Sequence, residues 1–243
     1  MSLPLLEEEM IDVLYIVGTG SMFNDAELKF SLRTLDVHGK NIDRVIISGY
    51  CPDFVDKSKV IHVECDDIAT PAINHWWKTK QAFDNTDTKK VVCMYDDIFF
   101  CKDVDLENYP YYRRPEELPD KDRVSKWGHV QYMAQQWLAK HDYTTHHYGL
   151  HLPMIYEKDK FEKLEKVFQG FRAQGGVSVR SMYGNIYAPS AAPRDDVKFF
   201  VDYWNLDEWL KDKECFSTAP ENFIKAPKRW LDEHFSQKSR WEK

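Results

Sequence analysis

No stretch of the chain approaches the roughly 18 consecutive apolar residues that a membrane-spanning helix requires, so no such span is expected. Cysteine pairs with CxxC spacing are also missing. The five cysteines, Cys51, Cys65, Cys93, Cys101 and Cys215, are odd in number and dispersed, which argues against a disulfide framework and against a thiolate zinc site. Reduced thiols are expected. Basic charge is not in excess: 33 Lys and Arg against 40 Asp and Glu leave a formal net charge of −7. That balance speaks against a surface covered in phosphate-binding residues, although residues 225–243 carry six Lys or Arg against three acids and leave a local patch open. Internal repeats and low-complexity tracts are absent, and no linker divides the chain, so one domain over residues 1–243 is expected. The leader MSLPLLEEEM has no basic start and turns acidic at Glu7, Glu8 and Glu9, unlike a secretory signal; a cytoplasmic protein is expected.

What is present is an ordinary globular composition, 43% hydrophobic and 30% charged, in a chain long enough to bury a sizeable core. Its first hundred residues alternate between strand and helix patterns, which predicts an α/β fold with a mainly parallel sheet. IDVLYIV (11–17) reads as a central buried strand and ends at Gly18, Thr19, Gly20 and Ser21. A helix follows, with Asn24 as its cap, Leu28, Leu32 and Leu35 on one face and Gly39 as its stop. Further strands are predicted at 42–48, 60–64 and 89–95, with a helix from Pro71 to Phe83. The second half is less regular: helical patterns recur near 127–140, 158–170 and 220–236. The Pro-rich, charged stretch 107–125 reads as an exposed loop or lid.

Asp96 and Asp97 interrupt the apolar run VVCMYDDIFF (91–100) at the carboxyl end of the last predicted strand of that half, where open α/β sheets bind ligands. Two adjacent carboxylates repel one another unless solvent, hydrogen bonds or a cation stabilises them, so the pair is either a turn or a site. As a site it suits Mg²⁺ or Mn²⁺, which take one or two protein carboxylates and complete their shell with water and substrate phosphates. The amides of Gly18, Thr19, Gly20 and Ser21 can receive a phosphate or ribose, but GTGS lacks the spacing of a dinucleotide fingerprint or a Walker loop. Arg33 points either to solvent or to a phosphate beside the sheet end. His141, His146, His147 and His151 cluster in HDYTTHHYGLHLP without the spacing of a known zinc motif; they are either general acid–base groups or loop residues. Trp76, Trp77, Trp127 and Trp137 serve either the core or stacking on a sugar or base. KRWLDEHFSQKSRW (228–241) is either a phosphate-binding tail or an amphipathic helix that turns Trp230, Leu231 and Phe235 inward.

In order along the chain, ELKFSLRTLDVHGKNIDRVIIS (27–48), TPAINHWW (70–77) and VVCMYDDIFFCKDVD (91–105) resemble the second signature region of the Stealth family of sugar-phosphate transferases. IDVLYIVGTGS is similar to that family's first region and HLPMIYEKDKFEKLEKVF (151–168) to its third. The resemblance implies a core like that of the GT-A nucleotide-sugar transferases, a UDP-linked sugar donor, a divalent cation (Mn²⁺ or Mg²⁺) on Asp96 and Asp97, Arg33 near the phosphates, and His151 beside the reacting group. Gly18 stands where the family usually has an acidic residue, and a final signature region is missing. These departures favour glycosyl transfer over transfer of a sugar-1-phosphate.

The expected protein is therefore a glycosyltransferase with a GT-A-like core, its donor bound by residues 11–105 and its acceptor side built from residues 126–243. The acceptor hydroxyl belongs to a glycan or to a hydroxymethylated DNA base. A Stealth-type sugar-phosphate transferase and a non-enzymatic nucleotide- or sugar-binding module are the alternatives.

Overall fold

Along the strand Ile11–Val17 (β1), successive side chains enter two different cores, which is why its sequence is apolar almost without a break. Val13 and Tyr15 pack with Leu28, Leu32 and Leu35 of the helix Ala26–His38 (α1). Leu14 packs with Ile73, Trp76 and Phe83 of the helix Pro71–Asn85 (α2) on the other face. A strand covered on both sides has no solvent face, so the period-two alternation of polarity is lost.

These relations come from a computed structural model that describes residues 10–19, 21–121, 125–199 and 206–243. Ile42–Gly49 (β2), Ile61–Val63 (β3) and Lys90–Met94 (β4) join β1 in a parallel array. Ile98–Phe100 (β5) enters a second sheet, and Met154–Glu157 (β6) closes the first as an antiparallel edge, giving the order β3-β2-β1-β4-β6. The chain moves outward from β1 to one side through β2 and β3, then returns to place β4 on the other side. The point where that direction reverses lies between β1 and β4, whose registers pair Tyr15 with Met94. Loops leaving adjacent strands there diverge to opposite faces and leave a crevice. Gly18, just past the end of β1, and Asp96 and Asp97, just past the end of β4, are brought to it together.

The helix starts follow local chemistry. Thr70 caps α2, its hydroxyl accepting from the Ile73 amide, and Pro71 fills the first turn. At the start of α1 the expected Asn24 cap is not formed: Asn24 and Asp25 both adopt positive φ, and Ser21 Oγ accepts from the Asp25 amide at 2.8 Å. Gly39 does end α1, and a Cβ there would lie 2.7 Å from the Leu35 carbonyl oxygen. The helix Lys126–Lys140 (α3) is capped by Ser125. The helical pattern of 158–170 is divided at Leu164, between Lys158–Lys163 and Glu165–Gly170.

A second, smaller sheet orders Lys198–Phe199 (β7), Cys215–Thr218 (β8) and β5, with β8 antiparallel to β5 and Ser217 opposite Ile98. It carries residues from the far end of the chain to the edge of the crevice. The loop predicted over 107–125 is not a free lid in its described part. Tyr109 and Leu118 are buried, the Leu118 amide donates to the Thr145 carbonyl at 2.9 Å, and Tyr112–Arg113 pairs with Ala192–Pro193.

The basic aromatic tail is packed as well. Leu231, Phe235 and Trp241 are buried, Trp230 lies edge-on to Phe216, and the Lys243 amide donates to the Phe54 carbonyl. Among the described residues no helix is long and apolar enough to cross a membrane.

Candidate functional site

A cleft of about 530 Å³ opens at the carboxyl ends of β1 and β4, and both Asp96 and Asp97 line it together with Gly18. The choice between a turn and a site dissolves in the geometry. The chain turns at Tyr95–Ile98, where the Ile98 amide reaches the Tyr95 carbonyl at 3.4 Å, and the turn presents both carboxylates to the cleft. Four carboxylates, Glu27, Asp67, Asp96 and Asp97, face two ammonium groups, Lys78 and Lys198, across this space. The exposed apolar side chains of Met22 and Trp127 form part of its rim.

The two aspartates differ in environment. Asp97 Oδ2 accepts from Ser217 Oγ at 2.8 Å, a contact created by the register of β8 on β5, and lies 3.8 Å from Lys198 Nζ. Among the described residues Asp96 has no such cationic neighbour. Burial first, then the charges of Asp97 and Glu27, push its carboxyl up to about 7. Glu27 is also raised, chiefly by burial, with Asp97 adding to the effect. The cleft thus holds more negative charge than its own cations balance.

Hard oxygen donors in surplus of positive charge fit a divalent cation of the Mg²⁺ or Mn²⁺ type. Among the described residues no three His, Cys, Asp or Glu side chains are grouped so as to hold an ion by themselves. A cation on Asp96 and Asp97 would draw the rest of its shell from water and substrate oxygens, as these ions commonly do.

Opposite the aspartates, His151 is held at both ring nitrogens. Its Nδ1 lies 2.8 Å from Asp196 Oδ2, and its Nε2 lies 3.1 Å from Lys198 Nζ. Asp196 also accepts from the backbone amides of His151 and Val197, each at 2.9 Å, and from Arg114 Nη2 at 2.5 Å. Burial alone would raise this carboxyl, but the hydrogen bonds and charges of His151 and Arg114 outweigh it and hold Asp196 down at about 2. The Asp196 carboxylate accepts, so it pairs with a proton on His151 Nδ1, and Lys198, a donor, meets the lone pair of Nε2.

The cleft floor contains His75, whose ring touches the hydroxyls of Tyr95 and Tyr156 at 3.3 and 3.2 Å. Burial and the nearby Arg180 charge push it down to about 3, so it stays neutral and serves as a hydrogen-bonding group rather than a charge. Lys78 is buried and donates to the Val17 carbonyl and to Asp67, both at 2.6 Å, at the carboxyl end of β1. Gly49 makes room for it: a Cβ at that position, where φ is +113°, would sit 2.7 Å from Lys78 Nζ and 2.1 Å from the Val17 carbonyl oxygen.

Several expected contributors are elsewhere. Arg33 does not line the cleft, and its expected role beside the phosphates is corrected. Its guanidinium is buried against Glu242, with Nε–Oε1 at 2.8 Å and Nη2–Oε2 at 3.0 Å, and donates to the Phe235 and Ser236 carbonyls. The cause is the tail, which folds back over that face of α1 and supplies every acceptor. Of the glycine-rich turn, Gly18 lines the cleft, Thr19 is exposed outside it and Gly20 lies outside the described residues. Ser21 lines the cleft, but its hydroxyl serves the start of α1 and donates to Glu27 at 3.2 Å.

The histidine cluster is dispersed. His141 stacks on Trp137, His146 pairs with Glu117, and His147 accepts from the Gly149 amide, so only His151 of the four faces the cleft. Of the four tryptophans considered for stacking, Trp127 alone lines it.

The residues that sequence reasoning missed are Glu27, Asp67, Lys78, Arg114, Asp196, Lys198 and Ser217. One signal was present. RDDVKFF (194–200) repeats the pattern of YDDIFF (95–100), adjacent aspartates ahead of a strand-forming pair.

No protein-family model matches the chain, and no curated protein gives a significant match.

Proposed function

We propose that the protein is a glycosyltransferase with a GT-A-like core that moves a sugar from a nucleoside diphosphate donor, UDP-linked in the first instance, to an acceptor hydroxyl. The observation that carries this reading is the placement of Asp96 and Asp97 in a cleft at the reversal point of a parallel sheet, facing Lys198 and His151. That location in an open α/β sheet favours a nucleotide, and the charge balance favours a cation with it. A diphosphate entering among four carboxylates would be repelled by several kcal/mol at short range in a partly buried site. A divalent cation on Asp96 and Asp97, when bound, supplies the charge that lets the diphosphate enter and stabilises it as it departs.

The chain's own groups divide the remaining work. Of the two ammonium groups that line the cleft among the described residues, Lys198 is the more exposed and the one to meet phosphate oxygens, while Lys78 is engaged by Asp67 and the Val17 carbonyl. Ser217 fixes the rotamer of Asp97 and Asp196 fixes the ring of His151, so the groups around the reacting centre need little reorganisation. His151 Nε2 accepts the proton of the acceptor hydroxyl as it attacks the sugar. Trp127 offers an apolar face at the rim for a sugar or base ring. A glycan is the favoured acceptor, because the tail that suggested a DNA backbone is occupied in packing.

Incubation of the purified protein with UDP-sugars and Mn²⁺ tests the reading through its by-product. Release of UDP, suppressed by a chelator, is the expected result. Release of UMP would instead mean transfer of the whole sugar-phosphate. Binding of the donor without any turnover, equal with and without Mn²⁺, would mean a binding module and overturn the enzyme.

A further inference from the structure

Among the described residues, Lys198 is the group in the cleft that touches both halves of the proposed chemistry. Its Nζ lies 3.1 Å from His151 Nε2 and 3.8 Å from Asp97 Oδ2, and its side chain is largely buried, 17% exposed. An ammonium donates but cannot accept, so the short contact to Nε2 uses the imidazole lone pair. Asp196 Oδ2, bonded to Nδ1, keeps that nitrogen protonated, and Arg114 donates to the same oxygen. The ring centre of Tyr95 lies 6.3 Å from that of His151. In this arrangement His151 has no free basic nitrogen. The base is present, oriented and blocked.

We propose that Lys198 is a donor-operated cap on His151: it covers Nε2 in the ligand-free protein and moves onto the donor's diphosphate when that enters the cleft, which frees Nε2 to act as the base. The inference rests on the nucleotide-sugar reading and adds to it a gating residue and an order of binding.

Its energetics favour the exchange. A neutral imidazole nitrogen is a weaker partner for an ammonium than a phosphate oxygen, because the phosphate adds the attraction of an opposite charge to the hydrogen bond. The bond to Nε2 therefore yields to the phosphate without a large conformational change, since Lys198 already lies between the two sites and has a flexible stem.

The transfer then balances. The acceptor oxygen forms a bond to the anomeric carbon as the bond from that carbon to the phosphate oxygen breaks. The acceptor proton passes to His151 Nε2, and the electron pair of the broken bond leaves with the nucleoside diphosphate, whose new charge faces Lys198. The base and the leaving group's cationic partner are thus distinct groups, His151 and Lys198, as expected for direct displacement with inversion at the anomeric carbon. Because the base is uncovered only by the donor, donor binds before acceptor, and water alone meets a blocked base.

Nitrogen-15 NMR of histidine-labelled protein tests the cap without relying on turnover, with the His151 signals assigned from His151→Gln. The probes are the common nucleoside diphosphates, UDP first, each with Mg²⁺. In free wild-type protein Nδ1 is expected to be protonated and Nε2 to carry the shift of a hydrogen-bonded lone pair. Saturation with the diphosphate should move Nε2 to the position of an unbonded lone pair while Nδ1 stays unchanged.

Lys198→Met should show the uncovered Nε2 signal before any ligand is added, and should bind the diphosphate about 10- to 100-fold more weakly, the loss expected for one charge-assisted hydrogen bond. A diphosphate that binds without moving Nε2, or a Lys198→Met protein whose Nε2 matches wild type, would overturn the cap and leave the transferase reading standing. Failure of every diphosphate to bind wild-type protein would overturn both.

Discussion

Asp97→Ala is expected to lower kcat/KM for the donor by about a thousandfold or more while leaving the fold intact, because in the proposed transferase it removes a cation ligand, and with it the carboxylate 3.8 Å from Lys198. The fold is expected to tolerate the change. Asp97 gives up one hydrogen bond from Ser217, but its charge also opposes that of Asp96, so the two losses offset. Steady-state kinetics with Mn²⁺ and a thermal melt on the same preparation check both halves. A conservative Asp97→Asn keeps the contact with Ser217 and removes the charge, so it should be nearly as inactive as the alanine variant. Activity retained in either variant would place the diphosphate elsewhere.

Asp96→Asn should make the metal-free protein more stable at pH 8, by an amount on the order of 2 kcal/mol. The sign follows from the direction of the shift. In the unfolded chain this carboxyl has its ordinary value of 3.8, and in the fold burial with Asp97 and Glu27 raises it to about 7. The folded state therefore holds its proton more tightly, and native stability from this group falls as pH rises from about 4 to about 7, then stays low.

Asparagine removes the penalty, so its advantage should be full above pH 7 and shrink towards zero below about pH 4. Mn²⁺ should stabilise wild-type protein and leave the variant nearly unaffected. Its apparent affinity for wild type should rise about tenfold between pH 6 and pH 8, since a proton on Asp96 competes with the ion below pH 7. Melts across pH with and without Mn²⁺ measure all of this. A variant less stable than wild type at pH 8 would mean that Asp96 is neutralised by a group within the fold.

How much of this was legible in the sequence depended on how far apart the cooperating residues lie. Ile11–Val17 and Lys90–Met94 announced themselves through apolar runs bounded by glycine or charge, and α1 and α2 through three-and-four spacing. Asp96 and Asp97 were legible for the same local reason: a strand end fixes where its next two residues stand. The parallel sheet then followed from the alternation of strand and helix.

The partners of those aspartates were not legible, because they arrive through long-range pairing. Ser217 reaches Asp97 across 120 residues, by way of β8 beside β5. Lys198 and Asp196 meet His151 from 47 and 45 residues away. Strands of two to four residues, such as β7 and β8, are too short to show a period.

Arg33 failed for a related reason. From its helix it read either as solvent-facing or as a phosphate ligand, the second being what the Stealth resemblance implied, yet its partner Glu242 lies 209 residues on, in a tail whose basic composition hid one buried acid. The stretch 107–125 looked like a lid because its charges and prolines suit solvent. One of those charges, Arg114, points inward to Asp196 and helps to build the site. In both cases composition described the residues correctly and topology decided what they met.

The proposed transferase needs Asp96 and Asp97 to hold a divalent cation where a nucleoside diphosphate binds. Anomalous diffraction from crystals grown with Mn²⁺ and UDP examines it without reference to activity. A manganese peak within coordination distance of an oxygen of each aspartate, about 2.2 Å, and of the diphosphate is the expected result. Clear density for the nucleotide with the manganese bound away from these carboxylates, or with Asp97 still turned only to Ser217 and Lys198, would contradict it.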